Sequence, residues 1–277
     1  MSTEVGVILV AGVGQRLRPL TDDRPKALMD VGGETILGRA TRLLLGAGVR
    51  ELVLATGYRE DAVKAAMAGC PVPVTFVRND AYDRTQNSVS LLACEKAING
   101  RSFFKLDGDL LFHAGALTRV GASTGALAAA IEAGHRLGEE EMKVLVEGDR
   151  ITAFGKHLDP AKAYGESIGL ERVSGVAVSS LFHAIGNVVS GGNTSLYYED
   201  VYARLVEEGL DARAVDVSDL PWTEVDTRED LDRARELVAS GRLDAPVPPP
   251  RSPLRIARGL AVAISLCDRN GEATRNP

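Results

Sequence analysis

Val5 to Leu28 read VGVILVAGVGQRLRPLTDDRPKAL, and this stretch decides the fold. Apart from Gly6, its first six residues are aliphatic and mostly β-branched, the pattern of a strand covered on both faces of a sheet. The strand ends at Ala11-Gly12-Val13-Gly14, where side chains shrink and backbone N–H groups can close on an anion. Arg16 and Lys26 follow, one a planar fork and the other a point charge, a pairing that suits several phosphate oxygens better than one. Two other phosphate loops do not fit. A dinucleotide fingerprint needs GxGxxG opening a long helix, but Leu17 takes the third glycine's place, and Pro19 and Pro25 would break that helix. A GxxxxGK string followed by Ser or Thr is absent from the sequence.

Outward from this loop, Ile36, Leu37, Ala40, Leu43, Leu44 and Ala47 share one helical face, and Gly48 is placed to end that helix. The spacing then predicts a strand at Glu51–Thr56, a helix near Glu60–Met67 and a strand near Val72–Val77. A helix over about Asn87–Ile98 and a strand at Ser102–Leu106 continue the alternation. It predicts a doubly wound, mostly parallel, Rossmann-like α/β sheet, whose ligands sit at the carboxyl ends of the strands. Met142–Lys156, MKVLVEGDRITAFGK, breaks this rhythm. Two short strands joined at Gly148-Asp149 predict a β-hairpin that opens an acceptor subregion over about 140–175. A strand at Val173–Val178, helices after Ser179 and near Thr194–Glu208, and a last helix carrying Leu231, Ala234, Leu237 and Val238 return the chain to the α/β body. A single domain over 1–241 is expected. Residues 242–277 read as a proline-rich linker, DAPVPPPRSPLR, and a tail of unassigned role whose apolar run Ile256–Leu266 is too short to span a bilayer.

The 277 residues, 45% hydrophobic and 25% charged, suit one large α/β domain. A net charge of −6 and a pI near 5.4 argue against a nucleic-acid or anionic-membrane partner, so the local basic pair serves a small ligand. Cys70, Cys94 and Cys267 are odd in number, widely spaced and free of CxxC; they suggest neither a disulfide framework nor a zinc site and fit a reducing compartment. No apolar run approaches the roughly 18–20 residues of a membrane span, and the start of the chain shows no basic leader, so a cytoplasmic location is expected. His113, His135, His157 and His183 show neither HxxxH nor HExxH spacing, which leaves surface or core-edge positions, and no nucleophilic triad is suggested. Self-association stays open.

Two acidic pairs carry chemistry. The strand at Ser102 ends in Leu106-Asp107-Gly108-Asp109, which puts two carboxylates where a doubly wound sheet exposes its crevice, and a divalent metal fits there. In Trp222-Thr223-Glu224-Val225-Asp226, alternation throws Glu224 and Asp226 onto one face of a short strand. Thr227 is then a helix N-cap, with Glu229 and Asp230 as charges of the first turn.

AGVGQRLRPLTDDRPKAL resembles the signature of nucleotidyltransferases that join a nucleoside triphosphate to a phosphorylated sugar or alcohol and release pyrophosphate, with Val10 where that family usually has Ala and Gln15 where it has Ser or Thr. The resemblance implies a triphosphate held by Ala11, Gly12, Gly14, Gln15, Arg16 and Lys26, and a catalytic set of Arg16, Lys26 and Asp109. FKLDGDLLF and PWTEVDTREDLDRA are similar to the family's two acidic motifs, which implies Mg2+ held by Asp109, Glu224 and Asp226. Gly57-Tyr58 in ATGYRED matches a loop near the base. RTQNSVSLL resembles the NSxSL of the cytidylyltransferase branch, which implies Asn87 and Ser90 near the nucleotide, with Asp107 beside them; WTEVDT departs from the WxDxGT of the hexose-1-phosphate branch.

YGESIGL, Tyr164–Leu170, is similar to the GExIGL of cytidylyltransferases for phosphoalcohols and phosphonates. It implies that Lys156 meets the acceptor's phosphate and Glu166 its head group. Trp222 is assigned to the same acceptor side, with Tyr164, Tyr197, Tyr198 and Phe112 the other aromatics available to a cation in a chain only 5% aromatic. The function expected is Mg2+-dependent transfer of CMP from CTP to phosphocholine, inositol 1-phosphate or a 2-aminoethylphosphonate-type acceptor. A hexose-1-phosphate nucleotidyltransferase using dTTP, UTP or GTP, and a catalytically silent nucleotide-binding relative, are the alternatives.

Overall fold

The computed structural model describes residues 4–134 and 137–246. The linker and tail readings from residue 247 onward, Cys267 and His135 lie outside the described residues. The chain builds β1 (Val5–Leu9), α1 (Ile36–Gly46), β2 (Glu51–Thr56), α2 (Glu60–Ala66), β3 (Val74–Arg78), α3 (Asn87–Ala93), α4 (Glu95–Ile98), β4 (Phe103–Asp107) and β5 (Leu110–Phe112). Then come α5 (Gly115–Ala122), β6 (Leu127–Ala133), β7 (Lys143–Glu147), β8 (Arg150–Gly155), β9 (Gly165–Val173), α6 (Gly175–Ser190), α7 (Tyr198–Glu207), β10 (Ala212–Asp216), β11 (Trp222–Glu224) and α8 (Arg228–Ala239).

The main sheet has nine strands in the order β3-β2-β1-β4-β9-β6-β10-β8-β7. Its first four strands are parallel, as the alternating elements require. The sheet as a whole is mixed rather than mostly parallel, because β9 runs antiparallel between β4 and β6. Alternation along β1 explains why both faces are covered. Val5 and Val7 join the core under α3, α6 and α7, whereas Ile8 and Val10 join the core under α1, α2 and α5. Gly6 lets α1 come close, since a Cβ there would lie 2.9 Å from Leu44 Cδ1.

Four expectations shift. Val173–Val178 is not one strand: Val173 ends β9, and α6 starts at Gly175, because Val178, Leu181, Phe182 and Ile185 form a buried stripe at helical spacing. The helix over Asn87–Ile98 breaks at Cys94 into α3 and α4. The hairpin β7–β8 is an edge of the main sheet, and β9, within the same 140–175 stretch, lies near the sheet's centre. The folded body also runs past Gly241: Leu243 is buried, and Asp244 Oδ1 accepts from the buried Arg39 guanidinium at 3.0 Å.

A third apolar cluster decides the site. Leu231 and Ala234 of α8 pack with Leu17, Met29, Val31, Ile36, Leu111 and Val225. Helix α8 is thereby pressed against the segment between β1 and α1, and β11, which precedes it, pairs with β5 just beyond Asp109.

Candidate active site

After β1 the chain turns through Gly12 and Gly14 into a short 3-10 turn, Gln15–Leu17. Gly14 sits at φ +67°, a left-handed conformation that favours glycine, and Thr21 Oγ1 donates to its carbonyl at 2.9 Å. A Cβ on Gly12 would meet nothing within 4 Å, so the space over the loop is open. Gly57 and Tyr58 brace the loop from below rather than lining the cavity beside it. Tyr58 N donates to the Ala11 carbonyl at 3.0 Å, and its hydroxyl lies 2.9 and 2.7 Å from the carbonyls of Thr21 and Asp22. Gly57 has no room for a side chain, because a Cβ would come within 2.6 Å of Tyr82 and 2.8 Å of the Ala11 oxygen.

Arg16 and Lys26 converge on one carboxylate. Asp226 Oδ2 accepts from Arg16 at 2.7 Å and its Oδ1 from Lys26 at 2.7 Å, while Lys26 also pairs with Asp109. Burial alone would lower the Lys26 ammonium's pKa, yet Asp109 and Asp226 hold it above its ordinary value. The loop's cations and both acidic motifs thus meet at one place, a contact the sequence reading did not anticipate. Capping by Thr227 fixes Asp226 at the end of β11: Thr227 Oγ1 accepts from Asp230 N, and Asp230 Oδ2 accepts from the Asp226 and Thr227 amides. Asp230 is thus the helix-start charge expected of it.

Glu224 opens onto the cavity yet is walled in by protein. That enclosure, with Asp109, Asp107 and Asp226 nearby, pushes its carboxyl up to about 8. Asp109 Oδ1 is buried without a hydrogen-bond partner. As a donor set these acids suit a hard divalent cation, which takes a few carboxylate oxygens and completes its shell with phosphate and water. As placed, with Lys26 between Asp109 and Asp226, no three acidic, His or Cys side chains among the described residues converge on one point.

A chamber of about 1120 Å³ lies beside this cluster. Arg16, Glu224 and Asp226 line it near the loop, and Asn87, Asp107, Lys156, Glu166 and Trp222 line it as well. Lys156 Nζ stands 4.9 Å from the Tyr197 ring centroid and 3.3 Å from Glu140, and Trp222 Nε1 donates to Glu132 at 2.5 Å. Asn87 reaches the chamber but spends its side-chain oxygen on the Tyr198 amide, 3.0 Å away. Ser90 does not reach it. It is 4% exposed and accepts from Asn79 at 3.0 Å, because the α3 face that carries Ser90 and Leu91 packs inward. Gln15 is exposed on the loop.

One cluster escaped the sequence reading. Lys105 on β4 is fully buried, 2.7 Å from Glu171 on β9 and 3.3 Å from Asp107, with Nζ 3.6 Å from the Tyr198 ring centroid. Tyr198 donates to Asp107 Oδ2 at 2.7 Å. Burial, with Asp107 and Glu171 close by and Lys105 only partly offsetting them, pushes the neighbouring Glu199 up to about 8. A lysine inside the apolar run FFKL was the available signal, since an unpaired charge is not buried there.

Residues 6–139 match the model of the MobA-like NTP transferase domain. The chain carries an NTP transferase domain. It is 33% identical over 87% of its length to the bifunctional IPC transferase and DIPP synthase of Rubrobacter xylanophilus, and 28% identical over 92% to the CMP-5'-(3-aminopropyl)phosphonate synthase of Streptomyces rubellomurinus. It spans 54% and 40% of those two proteins, about half of their length or less. Among solved structures, the inositol-1-phosphate CTP transferase from T. maritima superposes with a TM-score of 0.74 at 23% identity, covering 90% of this chain and 99% of that one, which establishes the shared fold. No helix among the described residues is long and apolar enough to cross a membrane.

Proposed function

We propose that this nucleotidyltransferase moves CMP from CTP to a small phosphorylated alcohol or phosphonate and releases pyrophosphate. The observation that carries the reading is the convergence of Arg16 and Lys26 on Asp226 and Asp109 beneath an open glycine loop, at the edge of a chamber that holds Lys156 at its far side. An acceptor phosphate oxygen is already anionic near neutral pH, so no protein nucleophile is needed. It attacks the α-phosphorus: one P–O bond forms, the bond to the bridging oxygen breaks, and the electron pair leaves with pyrophosphate. Lys26 and Arg16 exchange carboxylate partners for triphosphate oxygens and neutralise the charge that grows on the leaving group. Lys156 orients the acceptor. Asp109, Glu224 and Asp226 would hold Mg2+, which neutralises phosphate charge when bound.

The lean to CTP rests on coverage. The relatives named for IPC transfer and CMP-phosphonate synthesis align over 87% and 92% of this chain, whereas the UTP–glucose-1-phosphate uridylyltransferase of Haloferax volcanii aligns over 39%. The test is pyrophosphate release from CTP, UTP, dTTP, GTP and ATP with magnesium, against phosphocholine, inositol 1-phosphate, 2-aminoethylphosphonate and glucose 1-phosphate. Release with CTP and a non-hexose acceptor is expected; release with glucose 1-phosphate alone would replace this reading with a sugar-phosphate one.

A further inference from the structure

Lys143 opens β7, between Gly155 at the end of β8 and Glu166 on β9, and it is fully buried. An ammonium is costly to bury unless each N–H finds an acceptor, and this one finds three. Its Nζ donates to the main-chain carbonyls of Glu139 at 3.2 Å, Glu141 at 3.1 Å and Lys156 at 2.7 Å. Residues 137–142 belong to no helix or strand, and Lys156 begins the turn after β8. One buried side chain ties these two irregular segments together. Both border the chamber: Glu140, Glu141 and Lys156 line it, and Lys156 Nζ lies 3.3 Å from the Glu140 carboxylate. Lys143 therefore holds Lys156 twice, through its own carbonyl and through the carbonyls on either side of Glu140. The Lys156 side chain is 37% exposed and its partner Glu140 is 93% exposed, so where its ammonium reaches is set by its backbone rather than by that pair.

Resting on the reading that Lys156 orients the acceptor, we propose that Lys143 is a positioning residue for the transfer. It touches no substrate. It sets where the Lys156 ammonium enters the chamber, and so how tightly the acceptor's phosphate or phosphonate group is held. Without it the carbonyls of Glu139, Glu141 and Lys156 lose their common donor, and Lys156 stays charged but misplaced.

The experiment is a double-mutant cycle on the full chain with CTP and magnesium. The acceptor is whichever of phosphocholine, inositol 1-phosphate and 2-aminoethylphosphonate releases most pyrophosphate. A misplacement of about 1 Å costs on the order of a hundredfold, so Lys143→Met should raise the acceptor KM by about ten- to hundredfold and leave the KM for CTP little changed. Lys156→Met should raise the same KM. Residues that act through one contact are not additive, so the double variant should be no worse than Lys156→Met alone. Urea unfolding shows whether each variant is folded, and Lys143→Gln, which keeps two N–H donors, replaces Lys143→Met in the cycle where that variant is not. Unfolding of both Lys143 variants would overturn the proposal, because the lysine would then serve the fold itself. An unchanged acceptor KM in the folded Lys143 variant, or full additivity with Lys156→Met, would also overturn it and leave cytidylyl transfer standing. An unchanged acceptor KM in Lys156→Met would remove Lys156 from the acceptor, and this proposal with it. Failure of CTP to release pyrophosphate with all three acceptors would overturn the transfer reading as well.

Discussion

Lys26 is held by Asp109 and Asp226, two carboxylates far apart in the sequence, and removing it changes charge at the proposed reacting centre more than it changes packing. Lys26→Ala should slow pyrophosphate release by about a hundred- to thousandfold, the range for loss of one preorganised charge donor, with a much smaller effect on the unfolding midpoint. A variant that keeps near-normal turnover would remove Lys26 from the catalytic set. Gly57 makes the opposite kind of prediction. Its Cβ would press on the Ala11 carbonyl at 2.8 Å, a backbone atom held by the sheet, so Gly57→Ala should cost about 1–3 kcal/mol in urea denaturation. The glycine after β2 was legible as a family loop near the base, but its place against the Ala11–Gly14 loop depends on which strands become neighbours.

At the scale of elements, α8 matters to the site because it places Asp226. Leu231 is fully buried against Leu17, Met29 and Val31, so Leu231→Ala should cost about 2–5 kcal/mol and loosen the Asp226 contact with Arg16 and Lys26. Thr227→Ala, which removes the cap, should cost about 1 kcal/mol. Paired urea titrations and pyrophosphate-release assays check both, and a destabilised variant with full activity would separate α8 from the site. The helix and its cap were readable in TREDLDRARELV because cap residues and 3.6-residue spacing are local signals. The break between β9 and α6 was not, because VSGVAV satisfies a strand pattern until Leu181, Phe182 and Ile185 extend its apolar positions into a helical stripe.

At the scale of the whole molecule, the buried charges beneath the chamber tie stability to pH. Glu199 moves from an ordinary value of 4.5 to about 8 on folding, so between about pH 5 and 8 the folded chain binds more protons than the unfolded one. Stability should therefore fall as pH rises through that window, and Glu199→Gln should flatten the fall. Urea midpoints taken at intervals from pH 5 to 8 measure it; identical slopes in the two proteins would show that Glu199 does not carry the effect.

The sequence by itself determined the α/β class, the glycine loop after β1, the four strands of the parallel half of the sheet and the two acidic motifs, because strand alternation, glycine, proline and helix caps act over a few residues. Only the tertiary structure decided that Asp226 and Asp109 share Lys26, that Ser90 turns into the core, and that Lys105, Glu171 and Glu199 form one buried charged wall. Those three lie on β4, β9 and α7, separated along the chain by whole elements. They meet because β9 inserts antiparallel next to β4 and α7 packs nearby, and strand order in a mixed sheet is settled by how both faces are covered rather than by any local pattern.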